Sequence, residues 1–304
     1  MSEHKAPLWQ RLFNGRNLVI GIPFVWLLIF FLAPFLIVLR ISITQTNEAG
    51  DPFTDLSTWV DGVLTLKIKL ANYIMLTQDN LYLVTYGSSL KYAAITTVLC
   101  LFIGYPFAYF MARAKPSLRP ALLMLVMMPF WTSFLLRIYA WKGILATNGI
   151  LNSFLMSIGL IDAPLHMMNT PFSLVIGMTY AYLPFMILPL YSTLVKLDLR
   201  YLEAAADLGA TPWKAFWLIT VPLSKSGIIA GAMLVFIPCV GEYVIPELLG
   251  GPETLMIGRV LSDEFFTNND WPMASAVTVV VILLILGPLA IFNKYQAEQQ
   301  GGNK

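Results

Sequence analysis

The stretch EAAADLGATPWKAFWLITVP, residues 203–222, decides how this chain is read. It is polar and helix-forming, yet it lies between two long apolar runs. Its punctuation is that of two helices joined by a tight turn. Asp198 is placed to cap a helix starting near Leu199. Gly209 is a natural stop in the left-handed conformation. Thr211 and Pro212 then restart a helix, with Thr as the cap and Pro at the first helical position. Pro222 marks the expected boundary with the next apolar run. Glu203 and Asp207, four residues apart, put like charges on one face, and Arg200 stands one turn before them. A small alanine face with an acidic edge suits a knob that enters a groove on a cationic partner. A solvated interfacial helix is the plainer alternative.

Outward from this element the chain is apolar. It is 58% hydrophobic and 12% charged, about half the charge of a soluble domain. A membrane span needs roughly 20 mostly apolar residues, and six stretches approach that: 18–39, 89–112, 120–136, 172–195, 227–249 and 273–292. The expected fold is therefore an all-α membrane protein of six transmembrane helices, surrounded by lipid. It forms one membrane domain, 18–293, between tails 1–17 and 294–304, with a polar loop at 196–226. The first run is longer than a signal peptide's apolar core and is read as a retained span.

Charge segregation sets the orientation, because Lys and Arg collect in short cytoplasmic loops. Lys5, Arg11 and Arg16 precede the first run. Arg113, Lys115 and Arg119 follow the second, and Lys196, Arg200, Lys214 and Lys225 follow the fourth. Lys294 and Lys304 close the chain. With six spans all of these fall on one side, so both termini are expected in the cytoplasm. Glu48, Asp51, Asp55, Asp61, Asp79, Asp162, Glu253, Asp263, Glu264 and Asp270 fall on the other.

The outer loops are short. Residues 64–69 alternate in polarity and suit a strand; 70–76 suit a short helix, and 149–155 an amphipathic one at the membrane surface. Cys100 and Cys239 sit in apolar runs and read as free thiols. His4 and His166 form no metal-ligand pattern. Nothing in the sequence calls for nucleic acid, and no nucleophile, acid–base pair or metal cluster stands at recognisable spacing, so an enzyme is not expected.

The residues Glu203, Ala204, Ala205, Gly209, Ile219 and Pro222 carry a family resemblance. The order EAA, three residues, Gly, nine residues, Ile, one residue, then Val-Pro in place of Leu-Pro resembles the EAA loop of binding-protein-dependent ABC importer permeases. The segments PFWTSFLLRIYAW (129–141), AYLPFMILPLY (181–191), VFIPCVGEYVIPELLGG (235–251), MIGRVL (256–261) and NDWPMASA (269–276) are similar to the polyamine permeases. The wording GEYVIPELLGG tilts that likeness toward the putrescine type over the spermidine type.

The resemblance implies a type I importer permease fold in a bacterial inner membrane. It implies that Glu203, Ala204, Ala205, Asp207, Leu208 and Gly209 form a coupling helix docked on a cytoplasmic ATPase. The implied partners are two copies of that ATPase, a second homologous permease and a periplasmic polyamine-binding protein. This sequence has no G-x-x-x-x-G-K-[ST] phosphate loop. No cofactor is therefore expected on this chain, and ATP with Mg belongs to the ATPase partner.

An ionisable residue within the membrane is a functional hypothesis by default. Glu242 and Glu247 fall inside the fifth apolar run, near Pro238, Pro246 and the glycine pair 250–251. A diamine is cationic at both ends, so carboxylates with aromatic walls suit it. Tyr243, Trp131, Tyr180 and Tyr182 are the available aromatics. The alternative is that Glu242 or Glu247 pairs with a buried base such as Arg259 or Arg137. Asp263 and Glu264 suit docking of the binding protein on the outer face. Spermidine or another organic cation is the alternative substrate. An ion-coupled secondary transporter is the rival class, using the same carboxylates without needing the 203–222 loop.

Overall fold

Long apolar runs satisfy their backbone polar groups in a bilayer only as helices or closed barrels, and here they are helices. The computed structural model describes residues 15–47, 52–60 and 63–301. Lys5, Arg11, Glu48, Asp51, Asp61, Lys304 and His4 lie outside them, as does the side chain of Arg16. Two compact units are distinguished.

One unit comprises residues up to 78 together with 264–280. Helix α1 (Gly15–Leu27), a π-helical turn (Leu28–Leu32) and α2 (Ala33–Ser42) form the first apolar run. Pro34 follows the π turn within the continuous helical run Val19–Ser42, and a local π register is one way a helix re-satisfies the backbone groups that a proline frees. Strand β1 (Ser57–Val60) pairs antiparallel with β2 (Val63–Leu66), with Ser57 opposite Leu66. The strand expected over 64–69 is thus present but ends at Leu66. Beyond it, Lys67 N–H still donates to Leu56 O at 2.9 Å. Helix α3 (Ala71–Gln78) follows, and Asn72 Nδ2 ties it to α2 by donating to Ser42 O (3.1 Å) and Thr44 O (3.0 Å). Thr46 Oγ1 donates to Asp270 Oδ1 at 2.9 Å.

The other unit comprises 79–263 and the residues from 281 on. Its helices are α4 (Asn80–Arg113), α5 (Arg119–Met127), α6 (Phe134–Leu145), α7 (Ile150–Ser157) and α8 (Pro171–Leu194). Then come α9 (Arg200–Asp207), α10 (Pro212–Ala215), α11 (Val221–Leu223), α12 (Lys225–Val240), α13 (Val244–Leu249) and α14 (Ile257–Ser262). The last helix, α15 (Trp271–Gly301), begins in the first unit and ends in this one. Helices α4, α8 and α12 pack on one another. Their core buries Cys100, Leu174, Met178, Met186, Leu190, Val235 and Cys239, with both cysteines free. Close approach depends on Gly231, where a Cβ would lie 2.7 Å from Met186 Sδ.

Among the described residues, four helices are long and apolar enough to cross a membrane: Val19–Ser42, Asn80–Arg113, Pro171–Leu194 and Trp271–Ala290. Two bent pairs reach that length only when their halves are taken together. Arg119–Trp131 meets Phe134–Ser157 at 86°, and Pro212–Leu223 meets Lys225–Val240 at 65°. The stretch expected as a span over 120–136 therefore contains a break, where Thr132 and Ser133 take extended ψ values of 152° and 135°. The stretch expected over 227–249 is interrupted after Val240 and resumes in α13. Helix α15 runs past 292, so the tail expected from 294 starts as helix. The boundary expected at Pro222 lies two residues before the break at Ser224. Pro222 lies inside the continuous helical run Pro212–Leu223, directly after the π turn Phe216–Thr220.

Candidate functional site

The 203–222 element folds as two short helices joined by a tight turn. Leu199, without a side-chain bond, holds the cap position expected of Asp198, whose Oδ1 accepts from Arg200 N–H at 3.0 Å as the chain enters α9. Gly209 closes it with φ at +80°, a conformation that costs other L-residues about 1–2 kcal/mol. Thr211 Oγ1 accepts from Lys214 N–H at 3.4 Å. Glu203, in the first turn of α9, has the favourable end of the helix dipole, and Asp207, in the last turn, the unfavourable one. Ala204, Glu203, Asp207 and Gly209 are exposed, and Leu208 is 89% exposed. The alanines do not form one outward face, because Ala205 is buried against the protein.

The fastening of this element depends on residues far along the chain. Phe216, in the π turn Phe216–Thr220, meets the rings of Tyr105 (5.5 Å) and Tyr109 (5.7 Å) edge-on. Tyr105 OH and Ser224 Oγ are hydrogen-bonded at 2.8 Å. Packed aromatic rings and one buried hydrogen bond thus join the chain after α10 to α4. The visible signal was the aromatic spacing in WKAFW, which also reads as an interface anchor.

The break in the fifth apolar run forms a second cluster. Glu242 stands in the gap between α12 and α13. Its Oε1 accepts from Val244 N–H (3.0 Å) and Ile245 N–H (3.4 Å), capping the resumed helix. Its Oε2 accepts from the buried Tyr182 hydroxyl on α8. Backbone freed by the break is thus satisfied by a carboxylate, as burial requires. The neighbouring chain is held equally tightly. Ser173 Oγ donates to Leu249 O at 2.7 Å, and Ile257 N–H donates to Ser89 Oγ at 2.8 Å. A Cβ on Gly258 would lie 2.5 Å from the carbonyl oxygens of both Gly241 and Glu242.

Tyr182 and Glu242 are thus brought together, and the other candidates are dispersed. Tyr180 turns its ring to Trp141, 5.5 Å away. Tyr243 is half-exposed, and Trp131 is exposed on the 3-10 turn Met128–Trp131. Glu247, on α13, lies 2.6 Å from Arg259 Nε on α14, which is the pairing weighed above. Arg137 does not take part in that pairing; its guanidinium lies over Phe130 (5.3 Å) and Phe134 (5.6 Å). Asp263 is exposed. Glu264 accepts from Asn268 Nδ2 at 2.8 Å. An apolar cavity of about 310 Å³ among α4, α5 and α8, lined by residues including Phe107, Leu125 and Tyr180, offers no counter-charge to a cation.

Comparison with known proteins extends these observations. The family model for the binding-protein-dependent transport system inner membrane component matches residues 100–295. The chain is 41% identical over 284 residues to the spermidine/putrescine transport system permease protein PotB of Haemophilus influenzae, spanning 93% of this chain and 94% of that one. It is 41% identical over 260 residues to the protein of the same name from Escherichia coli K12, spanning 86% and 90%. Its fold is shared with a bacterial ABC transporter that imports the acidic polysaccharide alginate, at a TM-score of 0.66 and 16% identity, covering 94% and 98% of the two chains. The alginate transporter in complex with an alginate pentasaccharide-bound periplasmic protein gives 0.69 at 16% identity, covering 94% and 96%.

Proposed function

This chain belongs to the family of binding-protein-dependent transport system inner membrane components, and on that footing we propose that it is a permease subunit of an ATP-driven polyamine importer. Putrescine is the proposed substrate and spermidine the second reading, since the relatives at 41% identity are named for both. The observation that carries the polyamine reading is that identity, sustained over 93% of the chain. The Glu242 carboxylate beside Tyr182, with Glu247 on the helix it caps, supports a cationic cargo.

In the proposed cycle the loaded binding protein docks near Asp263 and Glu264 on the outer side. ATP and Mg act on two copies of a cytoplasmic ATPase, and a second permease completes the pathway. The knob formed by Glu203, Ala204, Asp207, Leu208 and Gly209 enters the ATPase. Ala205 anchors that knob from behind. Closure of the ATPase reaches α4 through Phe216 and the Tyr105–Ser224 bond. The spans then open outward, the diamine passes the carboxylates of the broken fifth span, and the cycle releases it inward. This polarity places both termini in the bacterial cytoplasm. The distribution of Arg113, Lys115, Arg119, Lys196, Arg200 and Lys214 supports it.

The test is uptake of radiolabelled putrescine in cells with and without the chain, against unlabelled spermidine and glycine betaine. Loss of uptake on deletion, with weak competition from spermidine and none from betaine, is expected. Strong competition by spermidine would favour the second reading. Unchanged putrescine uptake would remove the proposed substrate.

A further inference from the structure

Resting on the polyamine reading, we propose that Arg259 is a resident counter-ion, which holds Glu247 in the empty transporter and is displaced by an incoming diamine. The pair has the marks of an exchangeable contact. Arg259 Nε lies 2.6 Å from Glu247 Oε2, and the contact joins two short helices rather than lying inside the helix core. The Glu247 side chain is 50% exposed and that of Arg259 29%. An ammonium group can therefore reach the carboxylate that the guanidinium covers.

Position ties the pair to Glu242. Gly258, next to Arg259, packs against the carbonyls of Gly241 and Glu242 with no room for a Cβ. Glu247 lies on the short helix whose first N–H groups Glu242 accepts from. Glu242, Glu247 and Arg259 thus belong to one connected segment, 242–259.

Charge then explains the selectivity. Two carboxylates and one guanidinium leave the empty cluster with a single negative charge. A diamine carries two positive charges at neutral pH, since amines of this type titrate near 10. When it replaces Arg259 it matches both carboxylates. A monoamine matches only one, and must still displace Arg259 to reach the other. The resident arginine thereby keeps small monocations from resting at Glu247 and makes the second charge of the substrate a condition of binding.

The experiment measures KM and maximal rate for labelled putrescine uptake in cells carrying the whole transporter, with butylamine as monocationic competitor. In R259Q the KM for putrescine should fall about threefold, the size expected from removing a partly exposed ion pair, and butylamine should begin to compete. E247Q should shift KM the opposite way. If R259Q is lost from the membrane, R259K serves, with a KM below that of the unaltered protein, because a lysine ammonium is more strongly hydrated and held less tightly. A KM unchanged or raised in the Arg259 variants, with diamine uptake intact in the unaltered protein, overturns the displacement. Absence of diamine uptake in the unaltered protein overturns the polyamine reading, and the displacement with it.

Discussion

The 203–222 element and the break at 241–258 are both interruptions of apolar helix, and they are built in opposite ways. The first is shaped locally, by the cap at Thr211 and the stop at Gly209, and is fastened to distant chain only at its end, through Phe216 and the Tyr105–Ser224 bond. Its outward face is bare, with Leu208 at 89% exposure. The second is held from far along the chain, by Tyr182, Ser173 and Ser89, and glycines there press directly on backbone. An unfilled outward face is what docking on another protein, as proposed, requires of the first element. An element that must hold a broken helix within the membrane spends its polar groups on its own backbone.

Substitutions should separate the two regions. The largest effect is expected at Gly258, where Ala would place a Cβ 2.5 Å from two carbonyl oxygens that have no flexible side chain to yield. Gly258→Ala should destabilise the folded protein by about 3 kcal/mol, at the upper end for overpacking, and lower its thermal midpoint in detergent. Tyr182→Phe should come next. It leaves Glu242 Oε2 without its hydroxyl donor, and hydrogen bonds to charged groups contribute about 1.5–3 kcal/mol. Gly209→Ala meets nothing within 4 Å, so only the left-handed backbone is penalised, by about 1 kcal/mol. The smallest stability change is expected for Leu208→Ala, within about 0.5 kcal/mol. Its effect should appear instead as weaker co-purification of the ATPase. A stability loss at Leu208 equal to that at Gly258 would erase the contrast.

The same contrast explains what could be read in advance. The cap at Thr211, the stop at Gly209, the short strand near 64 and the short helices near 71 and 150 depend on neighbours a few residues away, and they were legible, whereas the cap expected of Asp198 lies one residue before the cap position. The boundary expected at Pro222 comes two residues early, because that proline is carried within the helical run Pro212–Leu223, which ends at Ser224. Glu242 was legible as a carboxylate in an apolar run. Its role as cap of α13 and acceptor from Tyr182 was not, because both depend on where the helix breaks. Four aromatics were singled out as a wall for a cation. Only Tyr182 touches the carboxylate, since Tyr180, two residues earlier on α8, faces Trp141. Ser89, Ser173 and Ser224 carried a weak signal as hydroxyls in apolar surroundings, without indicating their partners.

The central claim is that one interruption receives the energy and the other handles the cargo. The most direct test measures ATP hydrolysis and putrescine uptake together, in one proteoliposome preparation of the complete transporter, for Glu203→Lys and Glu242→Gln. Gln keeps a side-chain oxygen that can cap α13 while removing the charge. Glu203→Lys should lose uptake and its dependence on ATP hydrolysis while the protein remains in the membrane. Glu242→Gln should keep the ATPase attached and hydrolysing, with uptake of the dication depressed. Normal uptake by Glu203→Lys, or unchanged putrescine kinetics in Glu242→Gln, would contradict the account.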